Sequence, residues 1–277
     1  MSSQRIVSAL VMMVLAAAAV IYGWFFILFI LFLTAGGLYE FFYMVKRKDI
    51  PIYSYVGIFI GILIPLSIYS RFELTKNWEL LFVVLSFFSI LFMQFARNDN
   101  HNAVVGISTT LFGVLYISWF FSFLIKIRLL MPEAEGAGVK LLAFLIIVTK
   151  TGDIGALLVG SKWGKHPLLP RVSPHKSIEG CLGSLGFSIL FAFLFKSFLP
   201  SACHFSDFQI ILIGASFGAI GQLGDLSESL IKRDCQVKDS GKLLPGMGGI
   251  LDVIDSLLFS APAFYLYMSS MLGNLVL

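Results

Sequence analysis

The sequence predicts an all-α integral membrane protein with about nine transmembrane helices and a cytoplasmic N-terminus. Of its 277 residues, 58% are hydrophobic and only 13% are charged, whereas about a quarter of a soluble domain is charged. The mean hydropathy of +0.90 agrees with this class. An ordinary soluble enzyme is therefore excluded. The three Cys residues lack metal-ligand spacing and support neither a disulfide framework nor a zinc site.

Nine apolar segments are close to the length of about 20 residues that a helix needs to span a bilayer. The first two lie in residues 6–45 and are separated by a turn near Gly23. Because the second follows the first at once, a cleavable signal peptide is disfavoured. The predicted spans are 5–22, 25–45, 52–69, 78–95, 103–125, 139–160, 180–200, 208–231 and 248–272.

Basic residues in alternate loops give the orientation of these spans. The loops on the side of the N-terminus carry 13 of the 20 Lys and Arg residues, and the opposite loops, which include Arg71 and Lys76, carry six. The positive-inside rule therefore places the N-terminus in the cytoplasm and the C-terminus outside. The net charge of +4 needs no nucleic-acid partner to explain it.

The two halves of the chain differ in their polar content. Residues 1–135 hold about five transmembrane helices with few polar residues apart from Glu40 and Gln94. Residues 136–277 hold carboxylates and glycines within the spans, and basic cytoplasmic loops at 161–179 and 232–247. Any chemistry is therefore expected in the C-terminal region.

Acidic residues concentrate near the predicted cytoplasmic ends of the last two spans. Asp225, Glu228 and Ser229 share one face of a helix, and Asp252 and Asp255 share a face of the next. Carboxylates gathered in a low dielectric repel one another unless a cation is present. Mg²⁺ favours carboxylate and phosphate oxygens, so a metal site is predicted. The alternative is ion pairing with the basic residues Lys150, Lys232 and Arg233.

The loop between these spans has the chemistry of a phosphate site. It carries four basic residues: Lys232, Arg233, Lys238 and Lys242. Its end, Pro245-Gly-Met-Gly-Gly249, leads directly into a helix N-terminus. Glycines let backbone amides approach a phosphate closely, and the helix dipole favours the anion.

A second polar cluster surrounds the sixth span. Lys150 and Asp153 lie three residues apart and form either a buried ion pair or part of the polar site. Further along, Ser173-Pro174 predicts a turn and Ser177 predicts the N-cap of the next helix.

Together these residues resemble the signature of the phosphatidate cytidylyltransferase (CDP-diacylglycerol synthase) family. The signature matches at Ser229, Lys232, Arg233, Lys238, Asp239, Gly241, Leu244, Pro245, Gly248, Gly249, Asp252 and Asp255. An upstream run matches at Asp153, Gly155, Ala156, Gly160, Gly164, Lys165, Ser173, Pro174, Lys176, Ser177, Glu179 and Gly180. Met247, Val253 and Leu157 stand where the family pattern has His, Arg and an aromatic residue.

The resemblance implies an enzyme of phospholipid biosynthesis in the cell (inner) membrane. Its reaction converts CTP and phosphatidic acid into CDP-diacylglycerol and pyrophosphate by Mg²⁺-dependent in-line nucleotidyl transfer at the cytoplasmic face. The resemblance also implies a homodimer. An ion-coupled transporter remains the alternative, because intramembrane acids and glycine-interrupted helices also mark transporter sites.

We assign site roles on the same basis. The catalytic set is Asp225, Asp252, Asp255, Lys232 and Arg233. Within it, Asp225 and Asp252 are the principal Mg²⁺ ligands, and Asp255, with Asp239 and Glu228, supports the site or a second cation. The substrate-binding set is Ser229, Lys238, Asp239, Gly248 and Gly249, with Asp153, Lys176 and Ser177 as weaker members.

Overall fold

The computed structural model describes residues 3–70, 78–132 and 134–276. Arg71 and Lys76, which are predicted to face outside, lie outside the described residues. The helices are α1 (Ser3–Ile21), α2 (Gly23–Lys46), α3 (Ser54–Tyr69), α4 (Trp78–Phe95), α5 (Ala103–Gly113), α6 (Phe120–Arg128), α7 (Ala137–Trp163), α8 (Ile178–Leu194), α9 (Asp207–Asp234) and α10 (Leu251–Val276). A π-helical segment, Val114–Trp119, joins α5 to α6, and two short 3₁₀ turns, Lys196–Phe198 and Ser201–Cys203, precede α9.

The helices overlap the predicted spans, and most bounds agree within four residues. The exception is the predicted span 180–200, because α8 ends at Leu194. Among the described residues, five helical stretches are long and apolar enough to cross a membrane: α2, the continuous α5–α6 rod, α7, α9 and α10. Four shorter apolar stretches lie in α1, α3, α4 and α8. The chain is thus a nearly all-helical, multi-pass membrane protein.

A small hairpin lies in the loop that precedes α8. Strand β1 (Pro167–Leu169) pairs antiparallel with β2 (Ser173–Ser177). The predicted turn at Ser173-Pro174 is therefore wrong, because the chain reverses earlier, where the Val172 amide donates to the Leu169 carbonyl at 3.0 Å. Pro170 begins this turn, and its fixed φ suits such a position. Pro174 is tolerated because a two-stranded sheet consists only of edge strands.

The chain divides into two compact units. The first comprises the N-terminal residues through Ile125 together with Asp234–Val253. Its core is built on α2, where Leu38, Phe41 and Phe42 are almost fully buried. The segment 234–253, which carries much of the family signature, therefore packs with the N-terminal helices. No pattern in the sequence predicts this pairing.

The second unit comprises Lys126–Arg233 and Ile254 onward. Its helices α7 and α8 approach closely at glycines: a Cβ on Gly155 would meet the carbonyl oxygen of Gly183 at 2.6 Å. Small residues permit such close packing of membrane helices. This contact sets the rotation of α7 about its axis and so the direction of Lys150 and Asp153.

Large apolar side chains remain exposed in both units. Examples are Phe92 and Val104 in the first unit, at 74% and 76% exposure, and Leu182 and Leu266 in the second, at 62% and 61%. A protein surrounded by water rarely exposes so much apolar surface. Lipid contact accounts for it.

Candidate active site

Three carboxylates come together in the second unit where α9 and α10 meet. Asp225, Glu228 and Asp255 each offer an oxygen, and these oxygens lie within 4.8 Å of one another. Glu228 is fully buried and Asp255 is only 6% exposed. The helices approach at Gly224, where a Cβ would meet the Asp255 carbonyl oxygen at 2.5 Å. The i, i+3 spacing on α9 thus presents two acids to the facing helix.

Two lysines contact this three-carboxylate cluster. The Lys176 ammonium on β2 lies 2.6 Å from Asp225 Oδ2, and Lys232 forms an ion pair with Glu228 one turn away on α9. Pairing of the acids with basic residues, the alternative interpretation of the sequence, is therefore present for Glu228. Asp225 pairs instead with Lys176, which the sequence analysis predicts to bind substrate.

An all-oxygen donor set of this size fits a divalent cation. Mg²⁺ is bound through one or two carboxylates together with substrate phosphates, and the three-carboxylate cluster supplies such carboxylates at a common position. Lys176 and Lys232 pair with two of the three carboxylates and so offset part of the negative charge. Both have the ammonium chemistry to contact a phosphate when one is bound.

A second polar group adjoins Asp255 in the same unit. Lys150 and Asp153 form the ion pair that their spacing predicts, with Nζ and Oδ2 3.1 Å apart. Ser256 connects to both, since its hydroxyl lies 2.8 Å from Lys150 Nζ and 2.8 Å from Asp153 Oδ2. The Ser256 amide also donates to Asp255 at 2.6 Å. The pair is therefore both an ion pair and a support for the cluster.

Three other predicted residues lie in this unit, and two of them make hydrogen bonds to the backbone. Ser177 caps α8 as predicted, because its hydroxyl accepts the Gly180 amide at 3.1 Å. Arg233, exposed in the last turn of α9, donates to the Val172 carbonyl at 3.3 Å. Ser229 is buried on the same helix as Asp225.

Asp252 belongs to the first unit and has different partners. Its Oδ2 accepts the Ser240 amide at 3.0 Å, the Ser240 hydroxyl at 2.8 Å and the Gly249 amide at 2.7 Å. Gly248 has φ of +98° and donates its amide to Leu244. The two glycine amides predicted to approach a phosphate thus have acceptors within the chain. Lys238 and Asp239 are exposed in the same loop.

Several residues of these sites were given no role from the sequence. Ser256 and Ser240 are isolated serines whose spacing carries no signal. Glu40 is different, because an acid in an otherwise apolar span marks a functional position by itself. Its contacts, described below, lie within the first unit.

One further contact joins the loop that follows α7 to the first turn of α8. His166 Nδ1 lies 2.5 Å from Glu179 Oε1, and the amides of Lys165 and His166 donate to Glu179 Oε2. The contact with His166 and the backbone amides lower the pKa of Glu179 from 4.5 to about 2. This contact connects the loop to the start of α8.

Comparison with known proteins identifies the chain's relatives. The model of the "Cytidylyltransferase family" matches residues 3–271. A phosphatidate cytidylyltransferase of Bacillus subtilis is 33% identical over 87% of this chain and 88% of its own length. A Synechocystis protein of the same name is 33% identical over 84% of each chain, and one of Staphylococcus aureus is 36% identical over 79% of each. The chain therefore belongs to the cytidylyltransferase family.

Proposed function

We propose that the chain is a phosphatidate cytidylyltransferase, which makes CDP-diacylglycerol and pyrophosphate from CTP and phosphatidic acid. The observation that carries the proposal is the three-carboxylate cluster with its two lysines, in a chain of this family. The names of its relatives give the reaction. Family membership also favours an enzyme over an ion-coupled transporter.

The reaction needs no nucleophilic side chain. A phosphate oxygen of phosphatidic acid attacks the α-phosphorus of CTP, and the bond from that phosphorus to the bridging oxygen breaks as pyrophosphate leaves. By analogy with phosphorylated side chains, the second pKa of the lipid phosphate is about 6, so the attacking oxygen is already ionised at neutral pH. The protein's task is therefore to position two anions and balance their charge.

The residues divide this task by their chemistry. Lys176, Lys232 and Arg233 supply positive charge for the phosphates, and Ser256 holds Lys150 and Asp153 beside the cluster. Mg²⁺, when bound, would neutralise phosphate charge and orient the reacting phosphate. Asp225 and Asp255 fit its ligands, with Glu228 beside them. Asp252 as a further ligand and a second cation remain predictions.

We further propose nine spans with a cytoplasmic N-terminus and a location in the cell (inner) membrane. The four shorter apolar helices support the higher count, since added to the five long ones they give nine. The test is a reporter that functions only outside the cytoplasm, fused after Leu277. We expect it to be active, because nine spans place the C-terminus outside. Activity of a cytoplasm-only reporter at that position would contradict this topology. The homodimer remains a prediction.

The activity is tested with purified protein, Mg²⁺, radiolabelled CTP and vesicles that contain phosphatidic acid. Both pyrophosphate and a labelled lipid are expected, and only when the two substrates are present together. Vesicles with diacylglycerol in place of phosphatidic acid serve as the control, because they lack the attacking phosphate. Folded protein that releases no pyrophosphate with both substrates would contradict the proposal.

A further inference from the structure

Glu40 is a buried acid in the middle of an apolar helix. It lies on α2, and only 2% of the residue is exposed. A carboxylate in such a place is costly unless hydrogen bonds compensate for the lost water. Its partners therefore indicate what the residue is for.

Those partners belong to the segment that carries the family signature. Glu40 Oε2 accepts the backbone amide of Leu251 at 3.0 Å and the hydroxyl of Ser240 at 3.1 Å. Leu251 is the first residue of α10, where helix amides lack acceptors within the helix. Glu40 therefore acts as an acceptor for the start of α10, from a position 211 residues earlier in the chain.

Ser240 connects Glu40 to Asp252. The same hydroxyl that contacts Glu40 lies 2.8 Å from Asp252 Oδ2, and the Ser240 amide donates to that oxygen at 3.0 Å. Asp252 also accepts the Gly249 amide. The two carboxylates thus clamp the loop 240–251 at both ends.

The space occupied by Glu40 explains two glycines of the signature. The nearest atoms to a Cβ built on Gly241 all belong to the Glu40 side chain. A Cβ on Gly249 would meet the Ser240 hydroxyl and the Glu40 carboxylate. Any larger residue at either position would displace the buried acid. The other oxygen, Oε1, is buried with no hydrogen-bond partner among the described residues.

A polar cavity lies between α2 and this loop. Its volume is about 560 Å³, within the range of small-molecule sites. Two acids, Glu40 and Asp239, line it with Ser240, together with three basic residues: Arg47, Lys238 and Lys242. Three cations suit a triphosphate better than a single lipid phosphate, because each additional phosphate oxygen gains a charge-assisted contact.

We propose that this cavity binds the triphosphate of CTP, and that Glu40 is the positioning residue that holds its loop wall in place. The inference rests on the proposed function and deepens it by giving α2 a role in nucleotide binding. Loss of Glu40 releases Ser240 and the start of α10, so the lysines of the loop lose their common orientation. CTP binding weakens as a result, whereas binding of the lipid substrate does not.

The test measures equilibrium binding of CTP without lipid substrate, and the KM for each substrate during turnover. Glu40→Ala is expected to raise the Kd and KM for CTP at least tenfold and to leave the KM for phosphatidic acid within twofold. Glu40→Gln, which keeps one acceptor oxygen, falls between Glu40→Ala and wild type. Thr34→Val is the matched control, a fully buried polar residue of the same helix, and should behave as wild type.

A double-variant cycle separates positioning from general packing. Gly241→Ala should weaken CTP binding by displacing Glu40, and Glu40→Ala with Gly241→Ala should bind no more weakly than Glu40→Ala alone. The proposal would be overturned if the losses of CTP affinity in the two single variants multiplied in the double variant. Wild-type CTP binding in Gly241→Ala would overturn it too, as would an equal rise of the KM for CTP and the KM for phosphatidic acid in Glu40→Ala. If Glu40→Ala does not fold, Glu40→Gln and Gly241→Ala decide by the same criteria.

Measurements on the wild-type protein distinguish failure of the proposed function from failure of the inference about Glu40. Wild type that neither binds CTP nor forms product contradicts the proposed function. Wild type that does both, beside Glu40 variants with unchanged CTP affinity, contradicts only the inference. Arg47→Gln supplies an independent arm: it too should raise the Kd for CTP, because the cavity loses one of its cations.

Discussion

The two units each gather carboxylates, but they hold them in different ways. In the second unit, Asp225 and Glu228 lie against the ammonium groups of Lys176 and Lys232. In the first unit, Asp252 is held by backbone amides and a serine hydroxyl. Lysines on flexible stems can move to a phosphate, whereas backbone amides cannot leave their positions. The lysine pairs of the second unit therefore suit a site whose charge changes when substrate binds. The backbone contacts of the first unit suit a loop of fixed shape.

This difference predicts the largest loss of activity in the lysine-paired cluster. Asp225→Asn removes a charge where substrate phosphates and a cation would meet, so kcat should fall at least about 10³-fold, or about 4 kcal/mol. The rate of CDP-lipid formation measures it. Asp207→Asn is the matched control on the same helix, because Asp207 is exposed and lies 3.8 Å from Lys196. A kcat for Asp225→Asn within tenfold of wild type would contradict the charge role of the cluster.

The second prediction concerns Asp252, whose contacts alone would make it a structural cap. Asn can still accept the Gly249 amide, so a pure cap would lose little on replacement. If Asp252 also serves the reaction through its charge, Asp252→Asn should lower kcat about 10²-fold without loss of membrane insertion. Activity and insertion are both measured in isolated membranes. A rate close to wild type would refute the predicted role as a metal ligand.

A third prediction tests whether the lysines contact substrate. Lys232→Gln should raise the KM for the phosphate substrates about tenfold, because a buried ammonium next to Glu228 is replaced by a neutral group. The measurement is initial rate against the concentration of each substrate. Lys196→Gln, which changes an exposed lysine, provides the comparison. Unchanged KM values in Lys232→Gln would leave this lysine only a structural ion pair.

Patterns in the sequence predict most of the helices and several residues of the site, but not the strand of the hairpin. The helices were predictable because apolar length is decisive in a membrane, and the acids of α9 because i, i+3 spacing defines a face. The N-cap at Ser177 was predictable from local hydrogen bonding, and the structure confirms it. The strand at Ser173-Pro174 was missed because these two residues were interpreted as a turn. The chain instead turns at Pro170, three residues earlier.

The contacts of Glu40 could not be predicted, although its position could be singled out. Glu40 and Ser240 are 200 residues apart, and no periodicity relates one helix to a distant loop. In the structure the segment 234–253 belongs to the first unit, and no pattern in the sequence relates it to the N-terminal helices. Such pairing is decided by tertiary packing, which spacing along one chain does not encode.

The smallest expected effect lies outside both carboxylate groups, at Glu179 in the first turn of α8, just before the predicted span 180–200. Because the pKa of Glu179 is lowered to about 2 in the folded protein, its ionised form contributes stability above its ordinary value of 4.5. That contribution is lost as pH falls from 4.5 through about 2. Wild type should therefore melt at a slightly higher temperature than Glu179→Gln above pH 5, and the difference should shrink as the pH falls below 4.5. Thermal melting of the solubilised protein measures it, with Asp207→Asn as the exposed control. A difference in melting temperature that stays constant across this range would show that the His166 contact does not depend on the charge of Glu179.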